Sequence, residues 1–110
     1  MEGKSISNIE ILNKIKSIIQ EKYPDIISKI ILFGSRNSGN ADVYSDYDIL
    51  IILNKKFDSV MEIDLIDLCY EVDLKYDIVT DIKIISTDDL ETPRGKQRYI
   101  RTALREGLAV

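Results

Sequence analysis

The chain of 110 residues contains no histidine and only one cysteine, Cys69. Without histidine there is no serine–histidine or cysteine–histidine catalysis and no histidine-based zinc site. Any acid, base or metal ligand must then be a carboxylate. One cysteine cannot build a disulfide framework, so a reducing, cytoplasmic setting is expected. No stretch approaches the ~18 apolar residues of a membrane span. The opening MEGKSISNIE lacks the apolar core of a signal peptide. Positive charge is also in short supply, with 15 basic against 19 acidic residues and a formal charge of −4. That balance argues against sequence-blind binding along a nucleic-acid backbone. It leaves room for one nucleotide whose charge is met by a metal. Repeats, linkers and low-complexity segments are missing, and the length suits one domain spanning 1–110.

What is present reads as alternating helices and strands. Ser7 and Glu10 have the spacing of a capping box, and Ile11, Leu12, Ile15, Ile18 and Ile19 follow at helical intervals until Pro24. A β-branched run from Ile26 to Phe33 ends at Gly34. Ile49 to Leu53 is short and uniformly apolar, as in a strand covered on both faces. Ser59 and Glu62 repeat the capping-box spacing and open a helix through Ile63, Ile66, Cys69, Tyr70 and Leu74. Ile82, Lys83 and Ile84 alternate as a third strand. Thr92 and Pro93 predict the start of a last helix, which passes Tyr99, Ile100, Ala103 and Leu104 and stops at Gly107. The expected class is α/β (α+β), in the order α-β-loop-β-α-β-α.

Two short stretches carry chemistry. Asp46 and Asp48 are two residues apart at the entry of an apolar strand, so they share a face about 7 Å apart. Two ionised carboxylates that close repel unless a cation sits between them. A hard ion such as Mg²⁺ resolves the conflict and keeps open positions for phosphate oxygens. Asp-X-Asp alone also suits an ordinary polar turn. The second stretch is the Gly34-Ser35 turn, where freed backbone N–H groups and the Ser35 hydroxyl can cradle a phosphate and Arg36 can add a charged fork. A plain strand-to-loop turn with a solvated arginine is the simpler reading of each alone. A third carboxylate would complete a two-metal site for nucleotidyl transfer. Asp81, at the start of the third strand, is preferred over Asp77, which suits the turn after a helix. Asp73, Asp88 and Asp89 read as solvated positions.

Gly34-Ser35, ten residues, then Asp46-X-Asp48 resembles the signature of the polymerase-β-like nucleotidyltransferases. The short length, the Gly34-Ser-Arg-X-X-Gly39 form, Ser45 to Ile49 and the Glu106-Gly107 ending resemble their minimal nucleotidyltransferase branch. The resemblance covers nearly the whole chain. It implies a small mixed β-sheet flanked by helices, with ATP as donor and two Mg²⁺ ions on Asp46, Asp48 and Asp81. It further implies that Asp81 helps deprotonate the acceptor and that Gly34, Ser35 and Arg36 hold the β- and γ-phosphates. Many members carry a second arginine two residues after Arg36; here that residue is Ser38.

A core of this size leaves little for a substrate-recognition domain. The resemblance implies a small helical HEPN toxin as partner, modified by transfer of AMP to a tyrosine, with this chain as a type VII-like antitoxin. Two alternatives stay open: a non-catalytic antitoxin acting by contact, and a nucleotidyltransferase for a small molecule such as an aminoglycoside. Arg94, Arg98, Arg101 and Arg105, with Lys96, predict a basic stripe on the last helix, which could dock an acidic partner surface, reach the nucleotide, or be a solvated face. Tyr47, between the two aspartates, is expected to point away into the core. The segment from Lys4 to Tyr23 is read as packing on the sheet or docking elsewhere. Base preference, number of transfers and self-association are left open.

Overall fold

A computed structural model of the chain describes residues 6–38 and 46–110; Lys4, Gly39, Ser45 and the Ser38 side chain lie outside what it describes. The first capping box forms with both arms. The Ser7 hydroxyl accepts from the Glu10 N–H at 3.1 Å, and the Glu10 carboxylate accepts from the Ser7 N–H at 3.1 Å. This starts helix α1 (Asn8–Lys22), which buries Ile11, Leu12, Ile15 and Ile19 on one side. Its apolar stripe therefore packs on the sheet.

Strand β1 (Ile27–Phe33) leads through Gly34 into the one-turn helix α2 (Ser35–Ser38). Strand β2 (Tyr47–Leu53) follows, then helix α3 (Ser59–Tyr76) and strand β3 (Thr80–Ser86). Helix α4 (Arg98–Glu106) and a two-residue strand, β4 (Leu108–Ala109), complete the order. The sheet runs β3-β2-β1-β4. β2 is antiparallel to β1 and parallel to β3, while β4 lies antiparallel on β1's other edge. The sheet is mixed, as expected; among the strands of the described residues, β4 is too short to leave a pattern in the sequence.

β2 is the centre of the fold. Ile49, Leu50, Ile51, Ile52 and Leu53 are all buried, which requires cover on both faces. Ile49, Ile51 and Leu53 join Ile30, Leu32 and Ile84 beneath α1 and α3. Leu50 and Ile52 join Ile31, Phe33 and Ile85 beneath Ile100 and Ala103 of α4. Burying one such side chain stabilises a fold by roughly 1.5–3 kcal/mol, so this strand alone anchors both layers. Cys69 is packing material: burial, first, and Asp73, second, push its thiol up to about 12, well away from reactivity.

Several details of the elements differ from the sequence pattern or were left open by it. The N-cap of α3 is Asp58, not Ser59; the Asp58 carboxylate accepts from the Met61 N–H at 2.9 Å. Both residue types cap well, and the backbone is still extended at Asp58 but already helical at Ser59. The core side of α3 is Leu65, Cys69 and Val72, while Ile63, Ile66, Tyr70 and Leu74 are exposed. The last helix does not start at Pro93. Pro93–Lys96 form a 3₁₀ turn, Gln97 is extended, and α4 begins at Arg98. A Cβ at Gly95 would lie 2.1 Å from the Leu90 carbonyl oxygen, so the chain turns tightly there. The Arg94 guanidinium donates to the Ile84 carbonyl at 3.1 Å, which takes it off the α4 stripe. Asp73 is not simply solvated: its carboxylate accepts from the Thr80 N–H at 3.1 Å and the Thr80 hydroxyl at 2.8 Å, pinning the start of β3.

Candidate active site

The carboxylates are positioned by strand register. Asp48 faces Phe33 across the antiparallel β1–β2 ladder and Asp81 across the parallel β2–β3 ladder. Side chains paired across neighbouring strands project to one face of the sheet, and Asp46, two residues before Asp48, follows the same alternation. Asp48 and Asp81 thus stand side by side on the α4 side, at the end where β2 and β3 begin, and Asp46, just before β2, is near enough for its charge to act on Asp48. Tyr47 turns the other way and is buried under α1 and α3, as its place between the aspartates predicts. Asp77 ends α3 in the left-handed conformation, with φ 55°, and serves as the turn residue foreseen for it.

The Gly34 turn presses on this cluster. Gly34 has φ +78°, and a Cβ built on it would sit 2.4 Å from an Asp48 carboxylate oxygen. Only glycine meets both demands: a positive φ costs other residues about 1–2 kcal/mol, and a side chain would displace the aspartate. Two asparagines lace the turn to its surroundings. The Asn8 amide donates to the Arg36 carbonyl at 3.3 Å, and the Asn37 amide donates to the Glu106 carbonyl at 2.8 Å. The Arg36 guanidinium lies 4.3 Å from the centre of the Tyr47 ring. Such stacking orients the cation beside the turn. Neither asparagine carried a sequence signal, since each acts through a long-range backbone contact.

Electrostatics tie the three aspartates together. Burial, then the charges of Asp81 and Asp46, push the Asp48 carboxyl above the usual range, against an opposing pull from Lys83. Lys83 Nζ lies 3.1 Å from an Asp81 oxygen, and both side chains are close to half exposed. Lys83, which the sequence marked only as sharing a face with Asp81, thus pairs with that carboxylate. The donor set is all oxygen and mutually repulsive, which suits a hard divalent cation. Among the described residues, no group of three or more acidic side chains converges as a ready cage for an ion.

The predicted basic stripe survives in shortened form. Lys96, Arg98, Arg101 and Arg105 line a shallow cleft with Thr102. Among the described residues, no helix is long and apolar enough to cross a membrane.

Comparison with known proteins places this geometry in context. The family model described as "Nucleotidyltransferase domain" matches residues 12–109. A protein of Methanocaldococcus jannaschii named "Putative protein adenylyltransferase MJ0604" is 39% identical over 106 residues, covering 96% of this chain and 94% of that protein. A second protein of that organism, MJ0141, named in the same way, is 34% identical over 71 residues, covering 64% of this chain and 72% of its own length. Two crystal structures of mutants of the toxin-antitoxin MntA-HpeT share the fold, with TM-scores of 0.57 and 0.56 at 18% and 20% identity. They cover 88% and 89% of this chain and 69% of each matched chain.

Proposed function

The chain belongs to the nucleotidyltransferase domain family, and from that premise we propose that it transfers AMP from ATP to a hydroxyl of a partner protein. The observation that carries this reading is the single line across the sheet from the Gly34 turn to Asp48 to Asp81, with Asp46 alongside. The whole of 1–110 acts as the nucleotidyltransferase domain. Asp46, Asp48 and Asp81 would hold two Mg²⁺ ions. Bound there, the metal would offset triphosphate charge and lower the pKa of the attacking hydroxyl.

The remaining chemistry belongs to the chain itself. The backbone after Gly34 and the Ser35 hydroxyl receive the β- and γ-phosphates, with Arg36 added from its seat over Tyr47 as a bidentate donor. The acceptor oxygen attacks the α-phosphate in line, the bond to the bridging oxygen breaks, and pyrophosphate leaves. Asp81 accepts the hydroxyl proton. Its place next to Asp48 and beside Lys83 supports that role, since the lysine can balance the carboxylate's charge between turnovers. The names of the related proteins support a protein substrate, and the toxin-antitoxin neighbours support a toxin partner. A helical HEPN toxin modified on tyrosine, in the cytoplasm, is the specific form proposed.

The test incubates the chain with Mg²⁺, ATP and the protein encoded by its neighbouring gene, and reads the partner's mass. A gain of one or more AMP units, abolished by Asp46→Ala, is the expected result. Neutralisation of the partner that survives Asp46→Ala without any mass gain would reject transfer in favour of inhibition by contact.

A further inference from the structure

Helix α3 carries an apolar stripe that the fold does not use. Ile63, Tyr70 and Leu74 are 60%, 57% and 66% exposed, and Ile66 beside them is 39% exposed. Their spacing of three and four residues places them along one side of the helix. That side looks past the edge strand β3, since Glu71, Val72, Lys75 and Tyr76 line the cleft toward α1. Isolated exposed apolar residues are ordinary, but a continuous line of them along a helix marks an interaction surface.

Two observations identify what the stripe takes. The first is charge. Glu62, Asp67 and Glu71 border the stripe, and no lysine or arginine occurs from Glu62 to Leu74. Asp64 is already held by Lys22 and Tyr23 on the α1 side. A second copy of the chain, related by a two-fold axis, would set these carboxylates against their own copies. A helix with apolar residues between lysines or arginines complements the surface instead. The second observation is continuity with the site. Ile66 and Tyr70 line a groove of about 290 Å³ together with Asp73, Thr80, Ile82 and Asp81. The groove therefore runs from the stripe to the edge of β3 at Asp81, the strand position paired with Asp48.

We infer that the outer face of α3, with its groove to the edge of β3, seats a basic-flanked amphipathic helix of the protein acceptor. This rests on the transfer reading above and adds to it where the acceptor binds and by what chemistry. Two fluorescent helical peptides test it, both with leucine at the heptad a and d positions, one flanked by lysine and its twin by glutamate. The lysine peptide should bind at least about tenfold more tightly than the glutamate peptide. Ile63→Ser combined with Leu74→Ser alters two exposed positions outside the groove and should cost the lysine peptide about tenfold or more. Asp67→Lys with Glu71→Lys should reverse the preference. Equal binding of the two peptides, or none, overturns the inference. So does a wild-type dimer in sedimentation that the serine variant dissociates, because a second copy would then be the occupant. Mg²⁺–ATP binding is measured on the same samples. A chain that takes the peptide but no nucleotide fails the transfer reading and not the docking surface, and the converse separates them equally.

Discussion

Asp48 is the residue on which the site's demands concentrate. It is half-buried, abuts the Gly34 backbone, and lies beside two other carboxylates. Burial and those neighbours raise its carboxyl above the ordinary range. The folded chain therefore keeps this proton to higher pH than the unfolded chain does. Stability is fully present below the unfolded value, near 3.9, and is lost as pH rises through the raised folded value. Asp48→Asn removes the charge without changing the shape. It should raise the melting temperature modestly at pH 7, by an amount that fades as pH falls toward the unfolded value, while abolishing transfer. Differential scanning fluorimetry across pH checks this; a lower melting temperature at pH 7 would contradict it. In the same assay, added Mg²⁺ should raise the melting temperature of the wild type and leave Asp48→Asn much less affected.

At the level of elements, ends and faces are decided by competition between adjacent candidates. Asp58 and Ser59 both suit an N-cap, and Asp58 takes the position by accepting from the Met61 N–H. Asp58→Ala should therefore cost about 1 kcal/mol of stability, whereas Ser59→Ala should cost close to nothing. Urea denaturation of the two variants separates them, and equal losses would speak against this assignment. α3 also illustrates why periodicity marks a helix without telling which side is buried. Ile63, Ile66, Tyr70 and Leu74 recur at helical spacing as well as Leu65, Cys69 and Val72 do. The short side chains of Cys69 and Val72 allow close approach to the sheet, and the larger stripe is left outside. By contrast, α1 was legible in full, because its only strong apolar stripe is the buried one and Ser7 and Glu10 announce its start.

On the scale of the whole molecule, two apolar layers share one strand. Ile49, Ile51 and Leu53 belong to the layer under α1 and α3, and Leu50 and Ile52 to the layer under α4. Loss of either layer exposes one apolar face of β2, the strand on which the other layer is also built. Unfolding should accordingly be one cooperative transition, with coincident curves from far-ultraviolet circular dichroism and tyrosine fluorescence. Separate transitions for the two layers would show that α4 and its contacts form an independent unit, and would contradict 1–110 as one domain.

The sequence by itself determined the chemistry available: with no histidine, only carboxylates can serve as acid, base or metal ligand, and the Gly34-Ser35 turn and the alternation of Asp46 with Asp48 follow from local backbone rules. It also placed β2 inside, since five consecutive large aliphatic residues leave no polar face. Local rules do not reach across strands. That Asp81 stands beside Asp48, that Lys83 pairs with Asp81, that Asn37 ties the turn to α4, and that α3 shows its larger apolar side to solvent were decided by register and packing. Each of those depends on which element lies next to which, a relation between residues far apart in the chain that no short window of sequence contains.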